Sequence, residues 1–263
     1  MANKILLLGS NGCVGNFLKK SLDYKIKSIT RKQCDLTNRE SVFKLLKKET
    51  PDVIINCAAN MDLSMEKFSV ESYFENLNIF YNLYYAKENF GKLINFGSGA
   101  EFDRSVSIDN NNEEDILNIK PFDHYGLSKN HISNVCLNTE NFYTLRLFGC
   151  LHHSIKKGIF NKIANSKEIT IEDRYFDFFN LEDLIPVMNH YIDTDPFYKD
   201  INLVYKEKFL LSDLVSKFTN FHNIKIDVIY NKVNKNYTGS SEKLDSLNFK
   251  LKGVEAGLRD YIL

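Results

Sequence analysis

Four apolar residues, Ile5-Leu6-Leu7-Leu8, run straight into Gly9-Ser10-Asn11-Gly12-Cys13-Val14-Gly15, and a helical pattern begins at Val14. A G-x-x-G-x-x-G spacing between a strand and a helix constrains this chain more than any other feature. The first glycine makes a tight turn, the second lets backbone N–H groups approach a pyrophosphate, and the third lets the helix pack closely on the strand. The helix N-terminus then faces the phosphate charge. The expected site holds a dinucleotide, with Gly9, Asn11, Gly12, Cys13, Val14 and Gly15 along its phosphates.

Short apolar runs alternate with helix-period segments through the first half, which predicts βαβ units and a doubly wound parallel sheet. Strands are expected at Lys4 to Leu8, Lys25 to Ile29, Val53 to Asn56, Lys92 to Phe96 and Tyr143 to Arg146. Helices are expected at Val14 to Leu22, Asn38 to Lys48 and Val70 to Phe90, closed by Pro51 and Gly91. Ser105 to Lys120 is polar and lacks an apolar period, so it reads as a surface loop able to act as a lid. After about Gly149 the alternation weakens, which suggests a smaller lobe packed on the sheet. The expected division is a dinucleotide-binding domain at 1–148 and a mainly substrate-binding lobe at 149–263, interleaved with the first.

At 263 residues the chain is long enough for one large domain or two small ones that share a core. Lys and Arg number 34, as do Asp and Glu, so no global field draws nucleic acid or anionic lipid. An anionic ligand must be held locally. The first apolar run is too short for a signal-peptide core, and no stretch would span a bilayer. Cys13, Cys34, Cys57, Cys136 and Cys150 are scattered without a C-x-x-C pair or zinc spacing, so no metal is expected. Reduced thiols in a cytoplasm fit this pattern.

The second strand ends in Thr30-Arg31-Lys32, where an acidic residue would suit a ribose 2′-hydroxyl and a cation suits a 2′-phosphate. Arg31 and Lys32 therefore favour NADP over NAD, although a solvated charged turn would look the same. Past the fourth strand come Ser98-Gly99-Ala100-Glu101 and then Tyr125-Gly126-Leu127-Ser128-Lys129. Tyr125 and Lys129, four apart, share one helix face. A free phenol ionises near pH 10, so a neighbouring ammonium would make it a usable acid or base.

With the glycine turn, the Tyr125 and Lys129 pair resembles the extended short-chain dehydrogenase/reductase family, in particular its nucleotide-sugar branch. The resemblance also rests on Cys34-Asp35-Leu36-Thr37, on Pro51 to Ala59, on Asn76 and on Phe178 to Leu184 with Asp177 and Asp183. It implies a Rossmann-type fold, Tyr125 as proton donor, Lys129 on the nicotinamide ribose and tuning Tyr125, Ser98 polarising the carbonyl, and Asn76 completing a tetrad. Asp35, Leu36, Ala58 and Ala59 join the expected cofactor contacts.

The resemblance also bears on the reaction. Dehydratases of this kind carry an Asp-Glu pair directly after the catalytic hydroxyl, and fucose-synthase types carry a Cys at the second of those places. Here the two places hold Gly99 and Ala100. Reduction of a 4-keto group needs neither device. Expected substrate contacts are Ser98, Gly99, Tyr125, His152, His153 and Arg174, with Lys156 and Lys157 nearby; a solvated loop fits the His and Lys residues equally well. Arg174 lies two places before Phe176, where the family usually has Arg. The expected function is NADP-dependent reduction, with NAD as the other cofactor candidate, of the C4 ketone of a nucleotide-linked deoxy sugar for surface polysaccharide. The alternatives are an NAD-dependent C4 epimerase or dehydrogenase and a cofactor-binding regulator without turnover. A homodimer is left open.

Overall fold

The computed structural model describes residues 4–61, 70–156, 158–233 and 235–263. Its strands are β1 (Ile5–Leu8), β2 (Ile26–Ile29), β3 (Val53–Asn56), β4 (Lys92–Ser98), β5 (Ile108–Asn111), β6 (Phe142–Leu147), β7 (Gly149–Leu151), β8 (Glu168–Asp173), β9 (Phe178–Asn180), β10 (Asp200–Leu203), β11 (Asp227–Lys232) and β12 (Tyr237–Gly239). Its helices are α1 (Cys13–Ser21), α2 (Arg39–Glu49), α3 (Val70–Tyr85), α4 (His124–Leu137), α5 (Ile159–Ala164), α6 (Leu184–Asp193), α7 (Leu211–His222), α8 (Glu242–Ser246) and α9 (Gly253–Arg259). Among these residues no helix is long and apolar enough to cross a membrane.

Six strands form one parallel sheet in the order β10-β6-β4-β3-β1-β2. In register, Leu8 pairs with Ile29 on one side and Asn56 on the other. Strand side chains alternate between faces, and a parallel sheet buries both. Ile5 and Leu7 accordingly pack with Phe17 and Leu18 of α1 and with Val187, Met188 and Tyr191 of α6. Leu6 and Leu8 pack with Val42 and Leu46 of α2, Phe80 and Leu83 of α3, and Ile132 of α4. The chain order reverses between β1 and β3, and the cleft outside the carboxyl ends of the strands at such a point is where open α/β sheets bind ligands.

All five strands expected from sequence are present within one or two residues of their bounds. The sixth, β10, comes from the second half and pairs with β6. The helix expected to reach Phe90 ends at Tyr85, and a tight turn at Lys87–Asn89 follows. The expected loop at 105–120 does run along the surface, but it is not irregular throughout. It contains β5 and a 3₁₀ turn (Glu113–Leu117), and Ile108, Glu113 and Ile116 are buried. β5 pairs with β12, Ile108 and Ile116 pack against Phe102, Phe148 and Tyr237, and Glu113 accepts from the Asn202 amide at 2.7 Å. These partners lie far along the chain, so no local period reveals them, and the segment is not free to work as a lid.

A buried ion pair fastens the strand ends. Arg146 on β6 is fully enclosed, donating to Glu101 at 2.7 Å, to Asp200 on β10 at 3.2 Å and to Asn202 at 3.0 Å. Removing one partner from such a pair leaves an uncompensated charge and costs about 3–5 kcal/mol. Arg146→Met, close in length, should therefore lower unfolding free energy by about 3–5 kcal/mol in urea titrations at neutral pH. A loss below about 1 kcal/mol, the range of exposed pairs, would show that the charges are not desolvated as the fold implies.

Candidate active site

The glycine turn behaves as its spacing requires. Gly9 has φ +72°, and a Cβ on it would lie 2.6 Å from the Ala58 amide nitrogen. A Cβ on Gly15 would lie 2.4 Å from the Gly9 carbonyl oxygen, so α1 sits this close only because the residue is glycine. A Cβ on Gly12 would make only an ordinary contact, 3.4 Å from the Gly9 carbonyl oxygen. Outside this turn lies a cleft of about 440 Å³, lined among others by Asn11, Arg31, Asp35, Leu36, Ala58 and Ala59. Cys57, Ala59 and Met61 line both it and a second cleft of about 490 Å³ that holds Ser98, Tyr125 and Lys129.

Local structure fixes this second group. Ser98 closes β4, and its Oγ accepts from the Ala100 amide at 3.2 Å while its own amide donates to Glu101 at 2.8 Å. Asp123 caps α4 by accepting from the Gly126 amide at 2.8 Å. Gly126 is required because a Cβ there would meet the Ala100 carbonyl oxygen at 2.4 Å. Asn130 donates to the Glu101, Ile116 and Ile119 carbonyls, which holds the turn after Ser98 on α4.

Tyr125 lines the same cleft as Ser98, and burial pushes its phenol up to about 12, with Ser98 and Arg104 opposing and Glu101 adding to the rise. It is therefore protonated at neutral pH. Lys129 lies one turn on and donates to the Phe96 carbonyl at 2.9 Å; burial lowers its pKa, against the pull of Glu101. The cation over the Tyr125 ring is Arg104, at 5.8 Å, itself held by Asp123 at 2.7 Å. Sequence reasoning missed Arg104, which follows the Ser98 turn without any motif. It also missed Tyr237, which lines the same cleft as Ser98.

Not every expected residue joins these clefts. Asn76 is buried, bonded to Asn60 and, at 3.2 Å, to Ser128 Oγ, and lines neither cleft. Val14 lines the second cleft, whereas Cys13 lies 3.9 Å from Ser154 and Lys32 is exposed away from the first. Gly99 sits beneath the Phe148 ring, which a Cβ would strike at 2.4 Å, and Ala100 is buried. Arg174 does line the second cleft, beside Glu172 at 3.9 Å and over the Phe176 ring. His152 and His153 line a separate cleft of about 280 Å³ with Glu182, Lys252 and Asp260. Lys156 lines none of these three clefts, and Lys157 lies outside the described residues.

A sequence model of the NAD dependent epimerase/dehydratase family matches residues 5–150, more than half of the 263. No curated protein sequence matches the chain. Among solved structures, dTDP-4-dehydrorhamnose reductase from Bacillus anthracis, in complex with NADP, is similar at TM-score 0.83 and 19% identity, covering 99% of each chain. GDP-mannoheptose C4 reductase from Campylobacter jejuni, with NADP bound, gives 0.79 and 20%, covering 98% of this chain and 96% of that one. The Bordetella bronchiseptica enzyme WbmG, in complex with NAD and UDP, gives 0.80 and 14%, covering 98% and 92%.

The separate cleft has its own electrostatic consequence. Burial, aided by His153, lowers the His152 pKa to about 4, and its Nδ1 bonds Ser154 at 2.8 Å. His152 should stay neutral from pH 8 down to about 5 in histidine ¹⁵N spectra. A midpoint at the ordinary value of about 6.5 would show the ring to be solvated.

Proposed function

Because the chain belongs to the NAD dependent epimerase/dehydratase family, we propose that it reduces the C4 ketone of a nucleotide-linked deoxy sugar with NADPH, in the making of a surface polysaccharide. The observation that carries this is the convergence of Ser98, Tyr125 and Lys129 on one cleft that adjoins the glycine-turn cleft. Gly12, which lines the first cleft between two glycines that admit no Cβ, fits a pyrophosphate. Gly9, Asn11, Gly12, Asp35, Leu36, Ala58, Ala59 and Lys129 would hold the cofactor, which when bound supplies a hydride. Residues 1–148 carry these contacts, and the lobe within 149–263 adds Arg174 to the substrate side.

Ser98 holds the ketone oxygen and Tyr125, protonated at neutral pH, gives it a proton as the carbon gains the hydride. The product is an alcohol, and the phenolate left on Tyr125 faces the Arg104 guanidinium until solvent reprotonates it. Exchange at a carbon beside the ketone would need a further base. Gly99 and Ala100 supply none, and His152 and His153 open on another cleft, so reduction without epimerisation is favoured. With all five cysteines free, a cytoplasmic setting suits the enzyme. NADH remains the second cofactor reading because Glu75 lines the first cleft and pairs with Arg31 at 3.5 Å.

The test is turnover with a panel of nucleotide-linked 4-keto-6-deoxy sugars, run in heavy water with cofactor deuterated at the transferred position. Label should enter at C4 alone. Tyr125→Phe should cut turnover about 100- to 10,000-fold while cofactor still binds. Solvent deuterium at C3 or C5 above a no-enzyme control would identify an epimerase, and full activity in the Phe variant would remove the mechanism.

NADPH should bind more tightly than NADH, and Arg31→Ala should weaken NADPH by about tenfold while leaving NADH nearly unchanged. A charge-assisted contact of about 1.5–3 kcal/mol is lost, reduced by the exposure of Arg31. Fluorescence titration with both cofactors decides it, and tighter NADH binding by the wild type would select the Glu75 reading.

A further inference from the structure

Arg104 lines the Ser98 cleft from a turn with an uncommon backbone. Asp103, just before it, has φ +68°, which few residues other than glycine adopt. Its carboxylate accepts from the Ser105 amide at 3.0 Å and the Phe122 amide at 3.2 Å, which lays the turn against the start of α4. There Asp123 takes two of the five guanidinium N–H groups, from Nε at 3.2 Å and from Nη2 at 2.7 Å, while still capping Gly126. The two side chains are 18% and 5% exposed, so salt screens the pair little. The guanidinium carbon stands 5.8 Å from the centre of the Tyr125 ring, within the range at which a cation acts on an aromatic ring.

The family resemblance gives the tuning of Tyr125 to Lys129, but the Nζ of Lys129 is engaged by the Phe96 carbonyl at 2.9 Å. Burial lowers the pKa of this ammonium, whereas a guanidinium keeps its charge. Resting on the reductase reading above, we propose that Arg104 acts through Tyr125, as the positioning residue whose charge stabilises the phenolate formed when the phenolic proton passes to the ketone oxygen. In that step the O–H bond of the phenol breaks and the O–H bond of the product alcohol forms. The electron pair left on Tyr125 then stands beside a cation that Asp123 holds in place. The other charged and titratable groups facing the two residues are Glu101, Cys150, Tyr237 and Lys129. Of these, Glu101 is already matched by Arg146 at 2.7 Å.

The direct readout needs no substrate. With 3,5-difluorotyrosine inserted at position 125, whose phenol ionises at lower pH, ¹⁹F spectra follow that phenol by itself. Arg104→Met should lower its ionisation constant about tenfold, and Arg104→Lys should recover most of the loss. Because Arg104→Met also strands the Asp123 carboxylate, the double variant Arg104→Met, Asp123→Asn is titrated beside it. Asn still caps α4, and the constant should remain about threefold below that of the wild type. An unchanged constant in the double variant would overturn the proposal, since the single change would then report only the stranded carboxylate. With the keto sugar that the panel identifies, Arg104→Met should cut kcat about tenfold and leave KM within about twofold. A raised KM at unchanged kcat would make Arg104 a substrate contact and overturn the proposal as well. Should the panel yield no substrate, the reductase reading fails while the ¹⁹F titration still decides whether Arg104 stabilises the phenolate.

Discussion

The guanidinium of Arg146 has no access to water, and the arrangement of the site follows from where its partners must stand. A buried charge is tolerated only when its hydrogen-bonding capacity is filled. Glu101 lies just past β4, while Asp200 and Asn202 lie on β10, so satisfying Arg146 draws three neighbouring strand ends into one register. Glu101 has a second duty, because its other oxygen accepts from the Ser98 amide. The group that neutralises the buried arginine thus also sets the backbone of the residue proposed to hold the ketone. Asp200 is shared with Lys243 at 3.0 Å, which ties α8 into the same network.

Rigidity passes from this network to α4 through backbone oxygens rather than charges. Asn130 gathers the Glu101 carbonyl with those of Ile116 and Ile119, and Lys129 is held by the Phe96 carbonyl. Tyr125 therefore stands beside Ser98 on a helix held by the C-terminal end of β4 and the turn that follows it. A hydrogen-bonded group held by packed neighbours keeps its geometry better than one on a loop. The same reasoning accounts for the anchoring of 105–120, whose Glu113 accepts from the Asn202 amide on β10.

What the sequence discloses is what is local. The glycine turn, five strands of the sheet and the Tyr125 and Lys129 pair each depend on spacing within a few residues, and each stands where expected. β10 was hidden because Asp200–Leu203 is four residues in a stretch without periodicity, and its partner Thr144 to Leu147 lies far back along the chain. Tyr237 and Arg104 carry no motif, and only folding brings them beside Ser98. His152 and His153 follow β7 as expected from order along the chain, but the strand turns them toward α9, not toward Tyr125. Gly99 and Ala100 offer no acid, base or thiol, and both are enclosed, Gly99 by an aromatic ring that leaves no room for a larger side chain.

A chain with zero formal net charge must hold polyanions with local cations. The two arginines at the outer parts of the clefts, Arg31 and Arg174, each stand beside a glutamate, Glu75 at 3.5 Å and Glu172 at 3.9 Å. Exposed pairs of this kind contribute about 0–1 kcal/mol, too little to matter for stability. Their value is in orientation, since a long side chain already held near its working position loses less freedom on binding. A phosphate then competes with a weak partner, and a charge-assisted bond worth about 1.5–3 kcal/mol outweighs the pair it replaces. On the proposed reading, the released glutamate would be left near the ligand, where it could accept from sugar hydroxyls but would repel additional phosphate. On that reading, cofactor choice at Arg31 would depend on the balance between one cation and the carboxylate beside it, rather than on the presence of the arginine alone.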